Sequence, residues 1–374
     1  MTSSPKLKET PKRILAIKLR SLGDTVLMTA PLMELRRAFP HAQIDVAVLT
    51  PWAPLLQDHP AVNRVWNYDR FPDRGSRAKA AARLALKLRK ERYDCVVNFH
   101  ASPSSAMISF ATGAKTRSIH FHGHNDRNRY STVVVPGKGT LKPIIERDMD
   151  TVRALGLQVP EGRLPLLQST ASEKSWAQAY VAQLGQGQPV LALGLGASRP
   201  TKAWPLDRFA GVAVEWCRQK KGAAIAVTGP NEKTLSSDFL KAVDDVLSTT
   251  IPDLAERASV RNRVSSQSQF TVRELSALLG AVTLFLGNDS GPKHMAVAQG
   301  TSTVTLFGPE HPFEWHPYPQ KKNPYFFVET LTCRKDAQPG MQPWCGLDVC
   351  VQEQHQCMKL IGTNQVLQKC FDLI

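Results

Sequence analysis

The strongest constraint on this chain is an alternation that occurs twice: an apolar run, a turn of Gly, Pro or small hydroxyl residues, then a stretch of helical period. Residues 13–19 (RILAIKL) read as a buried strand, Ser21-Leu22-Gly23-Asp24 as a tight turn, and 24–38 as a helix stopped by Pro40. A strand at 43–49, a short helix after Pro51, a strand near 62–66, a basic helix at 76–91, and strands at 94–98 and near 117–122 continue the series. The pattern weakens between Pro136 and Pro189 and then restarts. It runs through a strand at 189–195, a helix at 205–220 opened by Pro205, a strand at 223–228 and a helix at 231–247 capped by Asn231. A helix at 271–279, a strand at 282–287, a helix at 290–299 and a strand at 302–306 follow. No element is assigned to the polar, basic stretch 249–270.

Strands alternating with helices predict parallel sheets covered by helices. The expected fold is therefore α/β, with two Rossmann-like domains facing a central cleft and a ligand at the carboxyl ends of the strands. A length of 374 residues accommodates two such domains. The expected boundaries are a disordered tail at 1–12, an N-terminal domain at 13–165, a linker at 166–187, a C-terminal domain at 188–355 and a final helix within 356–374.

Charge separates the two halves. The chain carries 47 Lys+Arg against 32 Asp+Glu, yet residues 1–180 hold 28 basic and 15 acidic residues while 181–374 hold 19 and 17. A one-sided basic domain points to an anionic partner such as nucleic acid, a membrane surface or a glycolipid, although excess charge also serves solubility alone. Nucleic acid is disfavoured, because no zinc-finger, RRM-type or helix-turn-helix signature occurs and aromatic residues make up only 7%. No run of about 18 apolar residues exists, and the polar segment 1–12 lacks the apolar stretch of a secretory signal, so a cytoplasmic protein is expected. Seven cysteines fit reduced thiols better than a disulfide framework. Four of them, Cys333, Cys345, Cys350 and Cys357, form a late cluster, a weak candidate for a structural metal because paired C-x2-C knuckles are missing.

Three loops follow apolar strands and open helices, where free N–H groups and the helix dipole favour a phosphate. The densest is 287–294 (GNDSGPKH), in which Asp289 or Ser290 caps a helix, Gly291 admits a ligand to the backbone, and Lys293 and His294 add donors. The second, 194–205 (GLGASRPTKAWP), combines two glycines with Ser198, Arg199, Thr201 and Lys202 and suits a diphosphate. In the third, Glu232 is placed to accept from ribose hydroxyls or to complement the helix dipole. Asp24, at the first strand-to-helix turn, is either a general base or an ordinary first-turn carboxylate.

The opening ILAIKLRSLGDTVLMTAPLMELRRAFPHAQIDV and the later GNDSGPKHMAVAQGTSTVTLFGP resemble the ADP-heptose:lipopolysaccharide heptosyltransferases, glycosyltransferase family 9, in order from about residue 13 to the final helix. The resemblance implies a GT-B architecture with an N-terminal acceptor domain, a C-terminal nucleotide-sugar domain, and a final helix crossing back to the first. It implies Asp24 as base, and Ser198, Lys202, Glu232, Asp289, Ser290, Gly291 and His294 as donor-binding residues. Lys293 departs from the family, which usually has an apolar residue there, and the loop 100–104 (HASPS) differs from the commoner acidic or glycine-rich versions.

The expected activity is then an inverting transfer of heptose from ADP-heptose to a sugar hydroxyl of the lipopolysaccharide core, with no metal or other cofactor required. Arg117, His120, His122, Arg127 and Arg129, with His124, are expected to meet the anionic glycolipid acceptor. The helix at 76–91 is a candidate contact with the cytoplasmic leaflet of the inner membrane. Alternatives are another nucleotide sugar, an epimerase, or a non-catalytic sugar-binding homologue.

Overall fold

The computed structural model describes residues 9–120, 129–135, 142–230, 232–334, 345, 347, 349–352 and 355–374. The chain divides into two compact units, Met1–Gln168 and Ser169–Ile374. The first unit holds 27 basic and 14 acidic residues, so the charge excess follows this boundary.

The first unit contains β1 (Arg13–Lys18), α1 (Leu22–Leu27), α2 (Thr29–Ala38), β2 (Gln43–Leu49), β3 (Arg64–Tyr68), α3 (Arg74–Lys90), β4 (Cys95–Asn98), α4 (Pro103–Ala111), β5 (Thr116–Ile119) and α5 (Ile144–Arg153). Its strands are all parallel, in the order β3-β2-β1-β4-β5. The uninterrupted apolar run of β1 follows from burial on both faces. Ile14 and Ala16 pack with Met28, Leu32 and Leu35 of the α1–α2 side. Leu15 and Ile17 pack with Leu84 and Leu88 of α3 and Ile108 of α4.

The single helix expected at 24–38 is two, meeting at Met28. Pro31 has no N–H to donate to the carbonyl four residues back, and the break falls at that point.

The second unit contains α6 (Ala171–Gly185), β6 (Val190–Gly194), α7 (Leu206–Lys220), β7 (Ala223–Val227), α8 (Lys233–Thr250), α9 (Leu254–Arg261), β8 (Val264–Gln267) and α10 (Val272–Ala281). It continues with β9 (Leu284–Asn288), α11 (Gly291–Ala298), β10 (Ser302–Phe307), α12 (Pro312–Trp315), β11 (Tyr325–Phe327), α13 (Gln356–Lys359) and α14 (Thr363–Phe371). Its strands are also all parallel, in the order β11-β10-β9-β6-β7-β8.

Several expectations change here. The stretch expected as a linker contains α6, which opens with a capping box between Thr170 and Glu173 and packs on α10. The unassigned stretch 249–270 holds α9, capped by Asp253, and β8, an edge strand paired with β7. The cap expected of Asn231 lies outside the described residues; α8 starts at Lys233 after Glu232, which makes no side-chain cap.

The final helix packs within its own unit. Val366, Leu367 and Cys370 of α14 are buried in the same core as Phe209, Ala213 and Trp216 of α7, and Phe371 stacks on Trp216 with ring centroids 6.0 Å apart. Among the described residues no helix is long and apolar enough to cross a membrane.

In each sheet the connectivity changes direction beside a central strand: between β1 and β4 in the first unit, and between β6 and β9 in the second. Open α/β sheets bind ligands in the crevice beyond the carboxyl ends of such strands. The loops carrying Asp24, Lys202 and Asp289 all lie at those ends.

Candidate functional site

At the end of β1 the chain turns through Ser21, the N-cap of α1, whose Oγ donates to Asp24 Oδ2 at 2.6 Å. Asp24 is 6% exposed, with Lys18 Nζ 3.7 Å from Oδ1 and Arg20 Nε 3.9 Å from Oδ2. Burial pushes this carboxyl up, but Lys18, the Ser21 hydrogen bond, Arg20 and His100 together hold it below the ordinary aspartate value. Asp24 is thus ionised at neutral pH, and its Oδ1 accepts no hydrogen bond among the described residues. A carboxylate oxygen in that state suits an incoming hydroxyl.

Of the supporting groups, Lys18 and Asp148 are not singled out as candidates in the sequence, and His100 is marked there only as the first residue of the loop 100–104. Lys18 donates to both oxygens of Asp148 of α5, at 2.9 and 2.8 Å, and both side chains are buried. Burial, opposed by Lys18, raises Asp148 to about 6. His100, just beyond β4, is drawn down to about 4 by burial and by Arg20 and Lys18, so its ring is neutral at pH 7. The one signal for Lys18 was a cation closing an otherwise apolar strand. Its partner lies 130 residues away, and nothing local points to it.

In the second unit Asn288, the last residue of β9, fastens two loops together. Its Oδ1 accepts from Trp204 N at 3.0 Å and its Nδ2 donates to Leu195 O at 2.8 Å. This sets Lys202 beside Asp289, with Lys202 Nζ 2.6 Å from Asp289 Oδ2. Lys293 Nζ lies 2.5 Å from Asp289 Oδ1, donates to Trp315 O at 2.9 Å and stands 4.6 Å above the Phe307 ring. Lys293 is fully buried, neither at the surface nor a free extra cation.

Burial would raise Asp289, but Lys293 and Lys202 hold it far below the carboxylate range, and burial draws Lys293 down to about 8. The group of two lysines and one carboxylate is net positive when all three are ionised. It stands at the N-terminus of α11, where Ser290 Oγ is buried without a hydrogen-bond partner among the described residues, and Gly291 opens the helix. A cation, an unengaged hydroxyl and helix N–H groups together suit a diphosphate.

The remaining donor-side candidates divide. Ser198 is exposed in the loop after β6. Glu232 accepts from Gly229 N at 2.6 Å, and a Cβ built on Gly196 would lie 2.9 Å from its Oε2. The third loop therefore meets the glycine loop, and a side chain at position 196 would have to displace the Glu232 carboxylate. His294 is 3% exposed, pairs through Nδ1 with Tyr318 Oη at 2.5 Å, and is held well below its ordinary value by burial. It is a neutral histidine of the interior, one turn behind the helix start, paired with Tyr318.

On the acceptor side, Arg117 is committed to the fold: Nε donates to Tyr130 O at 2.8 Å, Nη1 donates to Ala114 O at 2.5 Å, and the guanidinium lies 5.4 Å from the Phe110 ring centre. His120 is buried. Arg129 is exposed and donates to Tyr130 Oη at 2.6 Å. His122, His124 and Arg127 lie outside the described residues. All seven cysteines are free thiols, and Cys333, Cys345, Cys350 and Cys357 line one pocket.

A family model described as glycosyltransferase family 9 (heptosyltransferase) matches residues 81–340. The chain is 25% identical over 309 residues to lipopolysaccharide heptosyltransferase 3 of Escherichia coli K12, covering 80% of this chain and 83% of that protein. It is 27% identical over 358 residues to lipooligosaccharide heptosyltransferase 2 of Campylobacter jejuni, covering 94% and 95%. The solved structure of the ADP-heptose lipopolysaccharide heptosyltransferase II of E. coli matches with a TM-score of 0.70 at 20% identity, covering 96% of this chain and 98% of that one. At that identity the likeness establishes the shared α/β fold.

Proposed function

The chain belongs to glycosyltransferase family 9, the heptosyltransferase family, and from that premise we propose that it moves a heptose from ADP-heptose to a hydroxyl of the lipopolysaccharide core with inversion. The observation that carries this reading is the Lys202–Asp289–Lys293 group beside the unengaged Ser290 hydroxyl at the start of α11. The relatives, lipopolysaccharide heptosyltransferases and an ADP-heptose transferase, suggest the donor and the acceptor class.

In this mechanism the acceptor hydroxyl gives its proton to Asp24 as its oxygen bonds to the anomeric carbon. The bond from that carbon to the diphosphate oxygen breaks on the opposite face, and ADP leaves. Lys202, Ser290 Oγ and the first N–H groups of α11 take up the charge that develops on the leaving oxygen. Asp289 holds Lys202 in place, and Lys293 keeps the sum of the group positive.

The test is ADP release from ADP-heptose and other nucleotide sugars, with and without a lipopolysaccharide core acceptor. Release that requires both ADP-heptose and the acceptor supports transfer. Sugar conversion without the acceptor supports an epimerase, and binding without turnover supports a non-catalytic homologue.

We further propose that the protein works in the cytoplasm, resting on the anionic inner leaflet through α3. Arg74, Arg77, Lys79, Arg83, Lys87, Arg89 and Lys90 are all exposed on this helix, which carries no acidic residue. Each cation near such a surface contributes roughly 1 kcal/mol. The protein is expected to sediment with phosphatidylglycerol vesicles at low salt and to be released at high salt, and Arg77→Gln/Arg83→Gln/Lys87→Gln is expected to weaken binding by ten-fold or more. Salt-independent sedimentation, or none, removes the electrostatic contact.

A further inference from the structure

Helix α4 turns serines inward and apolar residues outward. Ser105 and Ser109 are buried and satisfied within the unit: Asn98 Nδ2 donates to Ser109 Oγ at 2.9 Å, and Ser109 Oγ donates to Ser105 O at 2.9 Å. Ile108 joins the core, but Met107 is 58% exposed and Phe110 54%. A helix on the surface of a soluble domain ordinarily turns charged residues to water, yet the sequence holds no charged residue from Ala101 to Ala114.

Leu86 of α3 extends the same surface. Arg89 Nη1 donates to Ala111 O at the end of α4 at 3.2 Å, and Leu86, 64% exposed, stands one turn before Arg89 on the same side of α3. Among the described residues, Leu86, Met107 and Phe110 are the three most exposed large apolar side chains of the first unit. The margin of the patch is aromatic and cationic. Phe110 meets the Tyr130 ring at 5.3 Å between centroids, Arg117 lies 5.4 Å from the Phe110 ring centre, and Arg129 lies 4.7 Å from that of Tyr130.

Two occupants fit such a patch, a second copy of this chain or a lipid surface, and charge chooses between them. Helix α3 carries seven exposed cations and no acidic residue, so two copies meeting at this face would set like charges together. An anionic bilayer instead neutralises the cations and takes apolar side chains beneath its headgroups.

We propose that Leu86, Met107 and Phe110 enter the acyl-chain boundary of an anionic bilayer while the cations of α3 engage its headgroups. This rests on the membrane contact proposed above for α3, to which it adds an apolar half, and not on the sugar-transfer reading. Attraction brings the protein to the surface and insertion prolongs its stay, so high salt still releases it. The fold also sets an orientation. Helix α4 starts just after His100, which acts electrostatically on Asp24, and Phe110 lies roughly 10 Å along the helix axis from that start. Insertion of Phe110 therefore keeps the Asp24 end of the first unit close to the bilayer, where a lipid-anchored acceptor is held.

The test uses full-length protein and phosphatidylglycerol vesicles. Met107→Ser/Phe110→Ser is expected to bind them at low salt about ten-fold or more weakly than wild type. The dependence of affinity on salt stays unchanged, because no charge is removed, whereas the triple replacement in α3 flattens it. Melting temperature and ADP affinity of Met107→Ser/Phe110→Ser stay near wild type, since both side chains lie at the surface. Phe110→Trp reads depth directly. Bromine placed on the acyl chains is expected to quench its emission beyond that of the wild-type protein, which a contact between cations and headgroups cannot do. Unweakened binding by the double variant, or no added quenching in Phe110→Trp, overturns the insertion and leaves the α3 contact standing. Wild-type protein that fails to bind at low salt overturns both. A wild-type dimer in solution that Met107→Ser/Phe110→Ser converts to monomer assigns the patch to a second copy and overturns the proposal.

Discussion

Replacing Asp24 with asparagine is expected to lower acceptor-dependent ADP release by about 10²- to 10⁴-fold, the contribution of a positioned general base, while ADP binding is unchanged. Asparagine keeps the shape of the side chain and still accepts from Ser21 Oγ, which donates to Asp24 Oδ2 at 2.6 Å in the native site. It cannot take a proton. Lys18 retains Asp148 at 2.9 and 2.8 Å, so the substitution strands no buried charge and the melting temperature stays near wild type.

The pH dependence has a definite sign. Asp24 is held below its ordinary value of 3.8, so it remains the base throughout the neutral range and contributes no acid limb to turnover above about pH 4. A limb near pH 6 belongs to Asp148, whose carboxyl sits at about 6. Turnover by ADP release and affinity by calorimetry with ADP check the prediction. Near-wild-type turnover in Asp24→Asn removes the base assignment.

What could be read from the sequence follows from how local each signal is. The β1 run and the Asn288–Gly291 helix start are encoded within a few residues, and the structure has them where expected, whereas Leu22, Gly23 and Asp24, expected in a turn, already form the first turn of α1. Lys18 with Asp148, and Asn288 with Trp204, are pairings across 130 and 84 residues, and no periodicity reports them. Helix α6 was hidden because it buries only Ala177 and Gly185, leaving little apolar period, although Thr170 and Glu173 form a capping box that was available to be read. The apolar face of α14 is visible in sequence, but a stripe of Val, Leu and Cys does not say which core it will join. His294 shows where local signals stop. One turn from a helix start, a histidine is as readily a neutral interior residue as a ligand, and its contact with Tyr318 is not visible in the sequence.

Replacing Asp289 with alanine is expected to cost about 3–5 kcal/mol of stability, because it leaves a buried lysine without its counter-charge. Lys202 is 11% exposed and can turn toward water, whereas Lys293 is 0% exposed and has only Trp315 O and the Phe307 ring left. The loss corresponds to a melting temperature lower by roughly 10 °C for a unit of this size.

Lys293 already sits at about 8 with Asp289 beside it, against an ordinary 10.5, and it falls further without it. A lysine whose folded value is depressed penalises the native state below that value, and the penalty fades as pH rises toward the unfolded value. The gap between Asp289→Ala and wild type is therefore expected to narrow from pH 7 to pH 9. Removing both charges in Asp289→Ala/Lys293→Met is expected to recover most of the stability, since no buried charge is then unpaired.

Donor affinity separates from stability in the same series. Lys202 has lost the carboxylate that held it 2.6 Å away, so the double variant is expected to bind ADP about 10- to 100-fold more weakly than wild type even when its melting temperature has returned. A double variant as unstable as Asp289→Ala would show that Asp289 supports the fold by some contact other than its charge on Lys293. One that binds ADP as wild type does would remove Asp289 from the positioning of Lys202.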